Sequence, residues 1–299
     1  MIASIDEANQ ARPATERVSI RRACALLEVS ASGYYAWRDR GPADREVADA
    51  ELAGIVKDVH EDKKRRYGIR RIRAELARRG RHHGEARLRR LVRSQGLACV
   101  HPASGPKTTV PDGRSADLID FIGRVFAPAR PGEVLYTDIT YIATAEQGWT
   151  YLVLFTDACS RRIVSWEVDT VMDTPFVLRA LDKALADLAP EPGQLIVHSD
   201  RGGQYTSNAF RDRCFDAGVI PSVGRTGSCF DNAQAESTNA TIKKELINLR
   251  TWKKLDEVRL ALFEYIQADY NRDRIQQALG FLTPEEFEQL HPVEFTPAA

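Results

Sequence analysis

The chain has no net charge: its 42 Lys and Arg balance 42 Asp and Glu over 299 residues. Attraction for any charged partner must therefore come from local segregation of charge. Cysteine is scarce. The five residues Cys24, Cys99, Cys159, Cys214 and Cys229 stand far apart, with no C-x-x-C pair, which excludes a disulfide framework and fits a reducing cytosol. His82, His83 and Cys99 lack the spacing of a zinc module, so no structural zinc is expected. Long apolar runs are missing as well. The segment from Tyr151 to Phe155 is far too short to span a bilayer, and the first twenty residues carry Asp6, Glu7, Arg12 and Glu16 with no apolar block. No signal peptide and no membrane anchor are therefore expected. What remains is an ordinary globular composition, 43% apolar and 28% charged, long enough for a substantial core and an accessory region.

The balanced charge hides a strongly basic block. Between Lys57 and Arg93 there are 15 basic residues against 5 acidic ones, a surplus of 10 that the rest of the chain must offset. Such a block either grips a phosphate backbone or forms a solvated helix face. On the first reading Arg65, Arg66, Arg70, Arg71, Arg89 and Arg90 are the phosphate contacts.

Hydrophobic periodicity divides the chain. Residues 1–17 read as a disordered leader, and 18–100 as a helical, basic region. Its start, with Ser19 and Ser30 as caps, reads as a DNA-reading helix-turn-helix or as a packing hairpin. A long helix follows, expected to bury Val47, Leu52, Ile55, Val56 and Val59. Two basic helices come next, around Ile69 to Arg79 and Glu85 to Gln95, separated by Gly80 and Gly84. Residues 101–124 are rich in Pro and Gly, as a linker would be. Within 125–250 the pattern changes to strands at Val134 to Ile142, Trp149 to Thr156 and Arg162 to Val168, joined by tight turns as an antiparallel meander. A helix from Thr174 to Leu188, a strand from Leu195 to His198, a helix from Ser207, a strand at Val219 to Ser222 and a helix from Asn232 to Leu249 complete the region. The fold class is α/β, a ribonuclease-H-like mixed five-stranded sheet flanked by helices, preceded by a helical N-terminal region. Residues 251–299 read as a C-terminal helical extension.

Three acids stand out against this frame. Asp138 interrupts a strongly strand-forming run, a poor home for a carboxylate without a partner. Asp200 follows the fourth strand, where ligands collect in open α/β sheets. Glu236 opens the last helix of the core, beside the small residues Ala233 and Ala235. Three carboxylates on rigid elements suit a pair of hard divalent cations acting at phosphorus. Asp157, at the end of the second strand, is a further acid that reads better as a turn residue; Asp231 reads as structural. His198 is a weaker candidate for a general base, and the Tyr34, Tyr35 and Trp37 cluster reads as packing.

Thirty-five residues separate Asp200 from Glu236. This spacing, with Thr137-Asp138-Ile139-Thr140-Tyr141-Ile142, His198-Ser199-Asp200-Arg201-Gly202-x-Gln204-Tyr205 and Asp231-Asn232-Ala233-x-x-Glu236, resembles the DDE transposases of the IS-three group of bacterial insertion sequences. The likeness extends to Ser32-Gly33-Tyr34-Tyr35-Ala36-Trp37, Tyr67-Gly68-Ile69-Arg70-Arg71-Ile72, Tyr270-Asn271-x-x-Arg274 and Leu279-Gly280-Phe281-x-Thr283-Pro284. It implies Asp138, Asp200 and Glu236 as catalytic and metal-binding residues. Two Mg²⁺ ions are implied as cofactors, with Mn²⁺ able to substitute, for DNA cleavage and strand transfer. Lys243, seven positions after Glu236, takes the family's basic position and is implied to touch DNA. Two positions depart from the pattern: Tyr136 stands where Trp is usual and Gln276 where His is usual. The implied partners are the terminal inverted repeats of a mobile element, target DNA, further copies of the chain, and an upstream-frame DNA-binding protein or fusion. The implied location is the bacterial cytoplasm, at the nucleoid.

Overall fold

The computed structural model describes residues 1–41, 43–100, 128–224 and 232–292. The expected linker at 101–124, and Cys229 and Asp231, lie outside the described residues. The chain forms two compact units, Met1–Asp62 with Gly84–Leu97, and Lys63–His83 with Ala98–Ala299. Among the described residues no helix is long and apolar enough to cross a membrane.

The first unit is helical: α1 (Ile2–Gln10), α2 (Ile20–Leu26), α3 (Ala31–Asp39), α4 (Asp44–Asp62) and, after a segment of the second unit, α6 (Glu85–Ser94). The leader expected to be disordered is thus helical in its first half. Ile2 and Ile5 pack on a small core of Ile20, Cys24 and Tyr34. Asn9 clamps the chain beyond it by donating to the Val18 carbonyl at 2.8 Å and accepting from the Val18 amide at 2.9 Å. Ser19 and Ser30 cap α2 and α3 as their positions predict, accepting from the Arg22 and Gly33 amides. In α4, Leu52, Val56 and Val59 are buried, whereas Val47 is exposed. Trp37 is also exposed, so the aromatic cluster packs only through part of its surface.

The second unit opens with α5 (Ile69–Arg78), which Gly80 ends in the left-handed region at φ +75°. Its sheet contains β1 (Val134–Thr144), β2 (Gly148–Asp157), β3 (Ile163–Asp169), β4 (Ile196–Ser199) and β5 (Ile220–Val223), in the order β3-β2-β1-β4-β5. The first three strands pair antiparallel, as the expected meander does, while β4 and β5 run parallel to β1. This is the mixed five-stranded sheet of the ribonuclease-H-like class, with β1 at its centre.

Side-chain alternation with period 2 gives β2 two buried faces. Val153 and Phe155 join Phe176, Val177, Ala180 and Leu181 of α7 (Thr174–Leu188), together with residues of α8 (Gly203–Thr206) and α9 (Asn208–Asp216). Leu152 and Leu154 face the opposite way, toward Ile242 of α10 (Ala233–Glu245) and Val258, Ala261 and Leu262 of α11 (Leu255–Glu264). Each fully buried aliphatic or aromatic side chain contributes about 1.5–3 kcal/mol, so the sheet is held from both sides. A π-helical turn at Tyr265–Tyr270 extends α11, and α12 (Pro284–Leu290) begins with a complete Thr283–Glu286 capping box.

Much of the basic block is neutralised inside this unit. Lys64 and Arg66 pair with Asp269, Lys63 with Asp273, and Arg78 with Glu286. Asn271 clamps β3 by exchanging hydrogen bonds with the backbone of Ile163 in both directions. The most buried ion pair is that of Glu245 and Arg274, whose side chains are 7% and 11% exposed. Arg274 donates to both oxygens of Glu245, Tyr265 adds its hydroxyl at 2.8 Å, and Arg71 stands 3.6 Å away. Burial alone would raise the Glu245 carboxyl, but these partners outweigh it and hold it below the ordinary glutamate value of 4.5.

A carboxyl whose folded value is depressed stabilises the protein above its ordinary value, and that stabilisation disappears as pH falls through the folded one. Glu245→Gln is expected to cost about 3–5 kcal/mol near neutrality, because it strands a buried guanidinium. The difference from wild type in urea unfolding should shrink below about pH 4.5, where the wild-type carboxyl also takes up its proton. A difference that stays constant with pH would mean that packing, not the ion pair, is lost.

Candidate active site

Asp138 lies near the middle of β1, opposite Leu154 of β2. Its neighbour Thr137 points to the α8 side and meets the buried Tyr205 hydroxyl at 3.0 Å, so alternation turns Asp138 to the side of α10. There the Asn239 amide donates to its Oδ2 at 2.7 Å. The carboxyl is pushed up to about 7, first by burial and then by the charges of Asp200 and Glu236. The same two aspartates act on Tyr205, whose phenol is raised first by burial and then by Asp138 and Asp200.

Asp200 follows β4 in a tight turn in which its Oδ1 accepts the Gly202 amide at 2.9 Å. A β-carbon on residue 202 would stand 3.0 Å from that oxygen and 3.3 Å from Gln204 Oε1, so a larger residue there would press on the Asp200 carboxyl. Arg201 closes the loop on β5 by donating to the Gly224 carbonyl at 2.8 Å. Glu236 is exposed in the first turn of α10, and its carboxyl is raised by burial and by Asp200. Lys243, two turns further on, is half-buried; burial lowers its ammonium and the Asp138 charge opposes that. The three acids thus act on one another electrostatically. Among the described residues, however, no three His, Cys, Asp or Glu side chains stand close enough to hold a metal ion as they are.

The helix that carries Glu236 is docked by amides that the sequence pattern did not single out. Asn232 donates to the Thr137 carbonyl at 3.1 Å instead of capping its helix, and Gln234 donates to the carbonyls of Asp157 and Ala158. Ala235 is buried and permits the close approach, whereas Ala233 is exposed. The available signal was a stripe of polar and small residues, Gln234, Ala235, Thr238, Asn239 and Ile242, at helical spacing.

Two weaker candidates are placed elsewhere. Asp157 is a turn acid whose oxygens accept the amides of Gly132, Cys159 and Ser160. His198 is fully buried, bonded through Nδ1 to Ser222 Oγ at 2.9 Å and edge-on to Tyr136, so it is no solvent-facing base. Tyr136 itself is fully buried, as an aromatic in the usual Trp position should be. Gln276 has a buried Nε2 without a hydrogen-bond partner among the described residues.

The six arginines expected to bind phosphate divide. Arg66 is taken up by Asp269 and stacks 4.8 Å from the Tyr265 ring centre, and Arg71 is half-buried, 3.6 Å from Glu245. Arg66 is thus engaged by an internal carboxylate, whereas the Glu245 that faces Arg71 is already paired with Arg274. Arg65 and Arg70 are exposed, and Arg89 and Arg90 make surface pairs with Glu85 and Asp49.

Residues 128–229 and 217–284 match family models of an integrase core domain, and residues 46–103 match an HTH-like domain. The HTH-like match therefore covers α4 to α6 and not the Ser19 to Trp37 pair, which the sequence left open between a helix-turn-helix and a packing hairpin. The putative transposase for insertion sequence element IS986/IS6110 of Mycobacterium tuberculosis (strain CDC 1551 / Oshkosh) is 34% identical over 267 residues, 88% of this chain and 95% of that protein. Transposase InsF for insertion sequence IS3A of Escherichia coli (strain K12) is 31% identical over 277 residues, 90% of this chain and 94% of that one. A solved HTLV-2 integrase catalytic core in complex with magnesium is similar at 18% identity, covering 53% of this chain and 97% of its own, with a TM-score of 0.41.

The electrostatics of Asp138 have a measurable sign. Its folded value of about 7 lies above the ordinary 3.8, so ionisation in the fold costs stability, beginning as pH rises past the lower value and complete above the upper. Without added divalent cation, Asp138→Asn should melt at least as high as wild type near pH ~8, and its advantage should diminish toward pH ~4. A variant less stable than wild type across that range would make Asp138 a structural acid.

Proposed function

Because the chain belongs to the integrase-core transposases of the IS-three group of bacterial insertion sequences, we infer that Asp138, Asp200 and Glu236 are the acids with which it cuts and rejoins DNA. The chain is an insertion-sequence transposase, an enzyme of a metal-dependent family. What supports the assignment is the placement of the acids on the central strand, in the turn after β4 and in the first turn of α10, the helix whose Asn239 donates to Asp138 at 2.7 Å.

An all-carboxylate donor set suits hard divalent cations, and mutual repulsion of the acids is the cost that a cation relieves. The three residues would hold two Mg²⁺ ions, or Mn²⁺ in their place. Such ions, when bound, supply Lewis acidity at the phosphate and favour ionisation of the attacking oxygen. The protein's own part is positional. The centre of the sheet fixes Asp138, the Gly202 turn fixes Asp200, and exposed Glu236 can adjust its rotamer. Lys243 lies about 10 Å further along the helix and donates to a DNA phosphate beside the reacting one. The nucleophile is a water for cleavage and a DNA 3′-hydroxyl for joining; the 3′-oxygen of the cut strand leaves.

Phosphate contacts away from the reaction are assigned to Arg65, Arg70, Arg89 and Arg90. Arg89 and Arg90 are themselves exposed, beside half-buried partners, so both guanidinium groups are within reach of a phosphate. The substrates of this reading are the terminal repeats of the element and target DNA, bound by several copies of the chain or by its fusion to an upstream-frame DNA-binding protein.

Asp138→Asn, Asp200→Asn and Glu236→Gln should each lose strand cleavage and strand transfer at an element end by several orders of magnitude, while keeping DNA affinity. Lys243→Ala should weaken engagement of the end without changing the cation requirement. Near-wild-type turnover in any one acid variant removes that residue from the set, and in two of them overturns the mechanism. The Arg89→Ala, Arg90→Ala double variant should make the log–log salt dependence of DNA binding shallower by about 1.8, at ~0.9 per phosphate contact. An unchanged slope would return α6 to a solvated face.

A further inference from the structure

We propose that Asn239 is a positioning residue for Asp138, holding one carboxylate oxygen so that the other is presented to the reaction in a fixed orientation. The inference rests on the assignment of Asp138 as a cation-binding acid. Asn239 sits on the buried side of α10, three residues after Glu236, and is 5% exposed. Its Nδ2 donates to Asp138 Oδ2 at 2.7 Å, a well-formed hydrogen bond. Its Oδ1 is buried without a hydrogen-bond partner among the described residues. A buried carbonyl left unmatched costs stability, and a hydrophobic residue of similar size would avoid that cost. Packing alone therefore does not account for an asparagine here. The bond to the carboxylate does: it directs the NH₂ toward β1, and the carbonyl oxygen is left over as a result.

The consequence is geometric. Glu236 and Asn239 share one rigid helix turn, so Asn239 ties the strand acid to the helix acid directly. Without it, the Asp138 side chain can rotate away from the Asp200 and Glu236 charges, and a cation must then fix that rotation itself. Losses of this kind, in groups that orient a metal ligand, typically weaken cation affinity by roughly 10–100-fold.

The test uses the full chain and Mn²⁺ as the probe. Melting temperature is measured against Mn²⁺ concentration without DNA, and strand transfer at an element end is measured against the same titration. Asn239→Ala and the near-isosteric Asn239→Leu should raise the half-saturating Mn²⁺ concentration at least about tenfold in both titrations, with maximal rate largely restored at high Mn²⁺. The melting temperature without cation should stay close to wild type in Asn239→Leu, which keeps the volume. An unchanged half-saturating concentration in a folded variant overturns the inference, even if the melting temperature falls. Asp138→Asn separates the two levels of the argument. If it leaves the Mn²⁺-induced rise intact, the assignment of Asp138 fails; if it abolishes the rise while Asn239→Leu changes nothing, only the role of Asn239 fails.

Discussion

A carboxylate on a strand and a carboxylate on a helix can serve one reaction only if the helix is held to the strand within a fraction of an ångström. Here α10 is held largely by amide side chains. Asn232, Gln234 and Asn239 donate in turn to the backbone of β1, to the carbonyls at the end of β2, and to Asp138 itself. Apolar packing resists separation but tolerates sliding, because dispersion is non-directional. Hydrogen bonds to fixed carbonyls do not tolerate it, since each weakens steeply off its axis. Asn232 and Gln234 make three of them where the helix begins, and the Asn239 bond to the Asp138 carboxyl further along adds a second point that resists rotation. Ala235 and Thr238 keep the backbones near enough for the amides to reach.

The far end of α10 is anchored by charge. Glu245 receives Arg274, Tyr265 and Arg71, so the last turn is tied to the C-terminal segment and to α5 of the same unit. A buried ion pair is seldom the most stable solution for a core, but it admits one geometry, and removing either partner is severe. Register is what this helix requires, because a shift of one residue would rotate Glu236 by roughly 100° away from Asp138. The Lys64, Arg66 and Asp269 cluster extends the same logic to the segment ahead of α5.

Runs rich in β-branched and aromatic residues, bounded by turns, made the strands legible. Where both faces are covered, as in β2, periodicity alone does not separate strand from buried helix, and that enrichment decided the reading. The acids were legible because each is out of place locally: a carboxylate in the middle of β1, one at the end of β4, and one at the start of a small-residue helix. Charge partnership was not legible. Arg66 and Asp269 are 203 residues apart, and nothing in a window of local sequence distinguishes an arginine bound for an internal carboxylate from one facing a phosphate. The helix Ile2–Gln10 escaped for a related reason. Its stability comes from Ile2 and Ile5 resting on Ile20, Cys24 and Tyr34, a tertiary contact that a weak helical pattern does not announce.

The three acids differ in how firmly they are held, and the order follows the mechanics of the sheet. Asp138 is the most desolvated and bears the repulsion of the other two, yet it stands on the central strand, with β2 on one side and β4 on the other. A repelled carboxylate displaces its backbone least where ladder bonds surround it. Asp200 stands just beyond a strand, where a four-residue β4 and the Gly202 turn give a looser hold. Glu236 is exposed, on a side chain with one more rotatable bond. The acid with the highest electrostatic cost, Asp138, is therefore the one on the most rigid support. If the order were reversed, with the buried acid on the mobile support, repulsion would disperse the cluster before any substrate arrived. The mismatch between a stable fold and a strained site is thus greatest at Asp138, which the central strand carries and α10 holds through Asn239.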